Sequence, residues 1–450
     1  MTGPDPAAEA EAALDAFSPP CWYPYLVGVT LLVNAVRDLH LVSDGPSCGF
    51  FRAEQFFGTH DLASTLLDVS SRHRAVVSAT HLDRLVDGRD TRFPDLLTRV
   101  ASAPFVPAVL AAGSPVASMS GVRYAEAAEA VAAATGKPIG VVPDRSLSAD
   151  WLEGFSDALA TLASVLPLRG SPGEGKVALV GHFMDRNEED HLGNVREIRR
   201  LLAALDLDLE SVWPGGEPVE ALARAGSASV LLALPPGRKA AGVLAGRTGA
   251  RVVECELPFG PRATDRFLLA AGEACGRTDR ARRAVREAEA VWAPAIKRVT
   301  LGRFLGTRWA YGGDPGLVPG ILEIADLVGA ETALVASWSM DPPPSGHTAR
   351  SGETGPLYRV RTVPLRRLLE AEAATLDLAI GNADFLAICP PFRPREVPGG
   401  GRSNAGRGVE IGFPSPGHHA MFDQPFLGYR GFLCLAARIA EALAVPRVWG

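Results

Sequence analysis

Apolar and polar positions along the chain alternate in a regular rhythm, short apolar runs following segments of helical period. Residues 22–36 carry an apolar face at helical spacing and end near Arg37-Asp38. A short apolar run, Leu39–Val42, leads into the turn Asp44-Gly45-Pro46-Ser47-Cys48. Beyond it Ala75–Ala79, Phe105–Ala111 and Pro138–Val142 read as strands, and Phe93–Ala101, Val122–Thr135 and Ala149–Leu166 as helices. Strands that alternate with helices imply parallel sheets closed by right-handed crossovers.

The rhythm breaks at Leu168–Lys176, a Gly- and Pro-rich stretch without apolar period that reads as a linker. It resumes with strands at Val177–Val180, Leu209–Trp213, Ser229–Ala233 and Arg251–Glu254 and helices between them. The charged run Arg277–Arg286 opens a long connecting helix and reads as a solvated face. A third set starts near Thr307 with strands at Arg308–Gly312, Thr332–Ser337, Leu378–Ile380 and Phe385–Ile388. It contains helices at Leu317–Val328 and Pro364–Thr375 and ends in a helix at Gly431–Ala444. Asp341–Pro356 and Arg393–Arg407 read as Pro/Gly/Ser-rich loops. The expectation is an α/β chain of three Rossmann-like domains, each a mostly parallel sheet flanked by helices. Their boundaries fall at 1–168, 176–290 and 291–450.

Composition narrows the function. At 450 residues the chain exceeds one ordinary core, and its 47% hydrophobic and 21% charged residues are a globular balance. A net charge of −6 gives a nucleic-acid partner no electrostatic support. No apolar run approaches the roughly 20 residues of a membrane helix, and the acidic N-terminus lacks the basic region of a signal peptide. A cytoplasmic protein without a membrane partner is expected. Six scattered cysteines do not form a disulfide framework.

Two near-motifs carry no chemistry. Gly170–Val177 approaches a phosphate-binding loop, but Val177 stands where Ser or Thr must reach Mg²⁺, and the stretch precedes a strand. ATP hydrolysis by this chain is therefore not expected. His182, Asp185 and His191 match no metal spacing and read as a polar loop at the carboxyl edge of a sheet, where ligand crevices form. His418-His419 have the same standing. Cys255, Cys275, Cys389 and Cys434 read as structural, Cys389 alone standing on a loop before two prolines. Cys21 and Cys48 are different, because Cys48 lies on a rigid Gly-Pro turn and Cys21 lies upstream of it. Thiolates so presented grip iron–sulfur clusters, although two cannot complete a cubane.

These features in this order resemble the nitrogenase component 1 family over nearly the whole chain. Cys21 is similar to its first cluster ligand, and Cys48 to its second, with Asp44 in place of the histidine of a His-Gly-Pro-x-Gly-Cys turn. Leu257–Asp265, Trp309–Pro315, Asp377–Asn382, Ile411–Pro414 and Gly428–Gly431 resemble later family segments. Ser114 stands where the third cysteine belongs; a serine hydroxyl is a harder and less acidic iron ligand than a thiol. Leu231–Leu234 and Pro425–Gly428 occupy the regions that hold the molybdenum cofactor in nitrogenase, so that cofactor is not expected.

The resemblance implies one subunit of a nitrogenase-like iron–sulfur oxidoreductase. A paralogous component 1 subunit would share an iron–sulfur cluster bound by Cys21, Cys48 and the Ser114 position. An ATP-dependent iron–sulfur reductase would deliver electrons for reduction of a bound substrate. The alternatives are a scaffold for cofactor assembly and a structural subunit that has lost the cluster.

Overall fold

The computed structural model describes residues 23–47, 54, 58–70, 72–80, 92–118, 122–337, 339, 357–359, 369, 375–389, 395–397, 401–403 and 407–444. Cys21 and Cys48 lie outside the described residues, as does nearly all of the helix expected at Pro364–Thr375.

The first sheet is wholly parallel, in the order β2-β1-β3-β4, with β1 at His40–Asp44, β2 at Ala75–Val77, β3 at Val109–Gly113 and β4 at Ile139–Val141. Every residue of β1 and β3 is buried, as expected of parallel strands covered on both faces. Helices α1 (Tyr25–Asn34), α2 (Arg92–Ser102), α3 (Pro115–Ser118), α4 (Tyr124–Thr135) and α5 (Trp151–Val165) belong to this unit. Helices α1 and α5 approach so closely that only glycine fits at the contact. A Cβ on Gly28 would lie 1.7 Å from the Trp151 carbonyl oxygen, and one on Gly154 would lie 2.0 Å from that of Tyr25. Asp150 caps α5, its Oδ1 accepting from the Leu152 and Glu153 amides.

The second sheet repeats this plan in the order β6-β5-β7-β8, again parallel throughout. Its elements are β5 (Gly173–Val180), α6 (Glu189–Ala203), β6 (Asp208–Trp213), α7 (Val219–Ala223), β7 (Ala228–Ala233), α8 (Arg238–Thr248) and β8 (Arg251–Glu254). Strand β5 starts at Gly173, inside the stretch expected to be linker, because Gly173 pairs with Ala228 of β7. Helix α9 (Pro261–Ala274) and the long α10 (Thr278–Val299) lead out of the unit. Arg280, Arg282, Arg283 and Arg286 are exposed on α10, so the charged run is a solvated face.

The third sheet has the order β11-β10-β9-β12-β15, all parallel. It comprises β9 (Arg308–Gly313), β10 (Glu331–Ser337), β11 (Leu357–Arg359), β12 (Leu378–Gly381) and β15 (Gly408–Glu410), with α11 (Val318–Val328), α12 (Ala383–Ile388) and α13 (Gly428–Ala444). Residues 385–388 are helical, not the expected strand. Short apolar runs suit either state, and the Asn382 side chain decides by accepting the Phe385 amide at 2.9 Å as the helix cap. A small antiparallel pair, β13 (Arg395–Val397) and β14 (Gly401–Ser403), occupies part of the expected loop. The chain is thus three Rossmann-like α/β domains, each a mostly parallel sheet flanked by helices.

Candidate functional site

In an open parallel sheet, the strand order reverses at one point and leaves a crevice at the carboxyl ends of the flanking strands. Here the three crevices lie between β1 and β3, between β5 and β7, and between β9 and β12.

The first crevice brings together two stretches picked out from the sequence. The Ser114 amide donates to the Asp44 carbonyl at 2.8 Å, setting the end of β3 against the turn after β1. Gly45 has φ +146°, and a Cβ there would lie 2.1 Å from Ser114 Oγ. Ser114 Oγ also accepts from the Ala117 amide at 3.3 Å, which makes it the cap of the short α3. The Asp44 carboxylate is 2% exposed. Its Oδ1 accepts from Ser78 Oγ at 2.6 Å and Thr80 Oγ1 at 3.3 Å, and its Oδ2 from the Tyr124 hydroxyl at 2.9 Å. Burial, then the Asp44 charge and its hydrogen bond, hold the Tyr124 hydroxyl protonated far above its ordinary range.

At the second crevice the loop after β5 joins a buried polar network to which all three domains contribute. His182 is 1% exposed, and its Nδ1 donates to the Pro214 carbonyl at 3.2 Å. Burial and the neighbouring His191 pull its pKa down to about 3, so the ring is neutral. Asp185 Oδ1 lies 2.8 Å from His191 Nε2 and 3.6 Å from His60 Nε2. Neither contact has hydrogen-bond alignment at Oδ1; Asp185 and His191 form an ion pair, and the His60 ring lies beside it. Burial opposes charge on this pair, but mutual attraction wins: Asp185 titrates well below and His191 above its ordinary value. His60 Nδ1 accepts the Ser415 amide at 2.9 Å, which places the ring proton on Nε2, facing the Asp185 carbonyl at 3.2 Å.

Neighbouring residues complete this junction. Arg186 pairs with Asp190 and donates to the carbonyls of Ser415 and His418. Glu188 accepts from the Leu62 and Ala420 amides and pairs with His419 at 2.8 Å. Asp61 accepts from Asn34 and from the side chain and backbone of Asn187. An aromatic cluster adjoins the network: Tyr23 and Phe183 meet the Trp151 ring at 5.3 and 5.2 Å, and Tyr23 meets Phe413 at 5.1 Å.

The third crevice carries Asp314 after β9 and Asn382 after β12. Asp314 sits deep among protein atoms yet keeps some accessible surface. Burial, together with the charges of Asp185 and Asp150, raises its pKa to about 6 against the one hydrogen bond from the Gly316 amide that lowers it.

The sequence had marked His182, Asp185 and His191 as an edge loop; the structure places His182 and Asp185 on the loop after β5, but His191 lies in the first turn of α6. His60, Asp61, Glu188 and Asp314 had not been singled out. Arg74 was also missed; its buried guanidinium donates to the carbonyls of Val33, Val36 and Leu39 and so closes the end of α1. Burial pushes the Cys255 thiol up to about 12, in keeping with a structural role. Among the described residues, no group of three or more His, Cys, Asp or Glu is arranged to hold a metal ion.

Three parallel-sheet domains that share a buried polar junction define the class, an α/β protein of three Rossmann-like domains. A family model described as nitrogenase component 1 type oxidoreductase matches residues 25–444. The chain belongs to that family. Among solved structures it is similar to one described as nitrogenase Cp1 at pH 6.5, with TM-score 0.77 and 17% identity, covering 95% of this chain and 93% of that one. A second, nitrogenase Cp1 at pH 5, matches with TM-score 0.69 and 12% identity over 94% and 88% of the two chains. Sequence comparison with curated proteins finds no match. At these identities the likeness concerns the fold. No helix among the described residues is long and apolar enough to cross a membrane.

Members of this family bind metal–sulfur clusters, which supports an iron–sulfur cofactor. The described donor set allows one test of fit. Ser114 meets the Asp44–Ser47 turn, but its oxygen is hard and already accepts the Ala117 amide. It does not fit the role of a third thiolate. Any cluster at this edge would be held by cysteines and completed from elsewhere.

Proposed function

We propose that this chain is one subunit of a nitrogenase-like iron–sulfur oxidoreductase complex. Cys21 and Cys48 are its cluster ligands in this reading, and a paralogous subunit supplies what the Ser114 position lacks. An ATP-dependent iron–sulfur reductase delivers the electrons, and the substrate is reduced without a nitrogenase-type molybdenum cofactor. The observation that carries the proposal is the meeting of Ser114 with the turn that leads to Cys48, in a chain of this family. The domain boundaries we assign are 1–168, 176–290 and 291–450.

Such a cluster would supply one-electron transfer, its potential set by burial, hydrogen bonding and charge. This chain's own part is to present a rigid turn. The Gly45 amide donates to Ser78 Oγ at 3.0 Å and the Thr80 amide donates to the Gly45 carbonyl at 2.9 Å, which fixes the approach to Cys48.

Anaerobic copurification with the paralogue, followed by iron and sulfide analysis and EPR, tests the proposal. Iron and sulfide in stoichiometric amount, lost in Cys48→Ala, are expected. Equal absence of iron from wild type and variant would sink it and favour a structural subunit. The engagement of Ser114 Oγ as a helix cap is the observation that favours this second reading.

A further inference from the structure

Residues 416–424, between β15 and α13, run over the first turn of α6 and are held there almost wholly by polar contacts. Ala420 is the one buried residue among them. The two large apolar side chains of the stretch, Met421 and Phe422, are 80% and 66% exposed, so they add little to its hold. Its ends are pinned. Ser415 donates its amide to His60 Nδ1 at 2.9 Å and its hydroxyl to Glu410 at 2.8 Å. At the other end the Phe426 and Leu427 amides share Asn194 Oδ1, and Leu427 is buried in the core.

Between the pins one carboxylate does most of the holding. Glu188 Oε2 accepts the Ala420 amide at 2.9 Å, and its Oε1 pairs with His419 Nδ1 at 2.8 Å. The same Oε1 accepts the Leu62 amide at 3.0 Å, which ties in the segment between β1 and β2. Arg186 donates to the His418 carbonyl at 2.7 Å, and the Glu189 amide to the Ala420 carbonyl at 3.1 Å. The pairs of Asp423 with Arg196 and Arg430 are half-exposed and contribute little.

We propose that residues 416–424 form a strap that opens and closes as one unit over the meeting point of the three domains, with the Glu188 carboxylate as its latch. Opening forfeits little apolar contact, whereas opening a sheet forfeits a packed core. It also returns water to charged groups that the closed strap helps to bury. Arg186, Glu188 and Asp190 all lie under 7% exposed, and burial of charge is costly. The strap therefore separates from its bed at a lower free energy than the sheets unfold, and so gives solvent access to the Arg186–Asp190 pair.

This proposal stands apart from the electron-transfer reading and needs no cluster. Native-state hydrogen exchange of the full-length protein, read by mass spectrometry with residue-level fragmentation, tests it. The Gly417, Ala420 and Gln424 amides are the reporters. The reference amides are Leu234 and Cys255, which donate to the Val180 and Ala233 carbonyls in the second sheet. After correction for intrinsic rates, the strap amides should share one protection factor, at least about 100-fold below that of the sheet and nearly independent of added denaturant. Glu188→Gln should lower strap protection by about tenfold and leave the sheet unchanged. His419→Ala, a milder change at the half-buried partner, serves if Glu188→Gln does not fold and should lower it about threefold. Strap amides as protected as the sheet and equally denaturant-dependent would overturn the proposal. So would unequal protection along the strap, or a variant that moves strap and sheet alike or neither.

Discussion

The crevices of the first and second sheets share one strand order and differ in what they do with polar atoms. At the first, the Asp44 carboxylate takes three hydroxyls, Ser114 Oγ takes a backbone amide, and the turn between them is braced from both sides. At the second, His182 and His191 each keep a ring nitrogen unused although both are buried. A satisfied polar network fixes a backbone, whereas a partly satisfied one carries a free-energy cost. The first crevice is thus built to hold a turn rigid, and the second to pair buried charges where the three domains meet.

The sharpest way to break this comparison is to remove the anion that organises the second crevice. Asp185→Ala leaves His191 without its counter-charge in a fully buried setting. Loss of one partner from a buried pair costs about 3–5 kcal/mol, and denaturant titration should show a loss of that size near pH 6. The sign with pH follows from both partners. The His191 value is raised, so its contribution is complete below about pH 6.5 and is lost as pH rises through the folded value. The Asp185 value is depressed, so its contribution is present above about pH 4 and lost as pH falls through the folded value. The gap between wild type and variant should therefore be widest between those limits and narrow on either side. A gap independent of pH would show that the pair is not ionic.

The rigidity of the first crevice is tested by Gly45→Ala. The substituted residue would keep a φ that side chains rarely adopt and would press its Cβ onto Ser114 Oγ. Together these should cost about 2–3 kcal/mol in denaturant unfolding. Adding Ser114→Gly removes the overlap but not the φ strain, so the double variant should recover part of the loss. Strict additivity would mean that the turn gives way, contrary to the bracing described above.

The sequence made the architecture legible and much of the junction illegible, for the same physical reason. Parallel strands buried on both faces leave continuous apolar runs, and all five residues of β1 and of β3 are buried. Local periodicity was therefore enough to find strands, helices and three domains. Residues 385–388 were misread because a short apolar run has no period, and the deciding signal was one capping side chain at Asn382. His182 and Asp185 could be assigned to a loop, but not to their partners, and His191 was assigned to that loop although it opens α6. His60 meets Asp185 across 125 residues, and no spacing rule connects positions that only tertiary packing brings together. Asp314 was passed over in the same way, since its environment is made by the Asp185 and Asp150 charges, remote in sequence.

Asp314 sharpens the comparison by adding the third crevice, where a carboxyl has neither the hydroxyls of Asp44 nor the cationic partner of Asp185. Its side chain accepts the Gly316 amide as a cap, and its pKa stands at about 6 instead of the ordinary 3.8. A carboxyl with a raised folded value is favoured when protonated. Its contribution is present below about pH 4 and is lost as pH climbs through 6, so at neutral pH the folded state bears a poorly compensated charge. Asn at this position keeps the capping oxygen and discards the charge. Asp314→Asn should therefore stabilise the protein by about 1–2 kcal/mol at pH 8, with the gain shrinking toward zero near pH 4. Thermal unfolding of both proteins across that range measures the difference directly. A loss of stability at pH 8 would mean that the ionised carboxylate has a cationic partner in the folded protein, and the third crevice would then resemble the second.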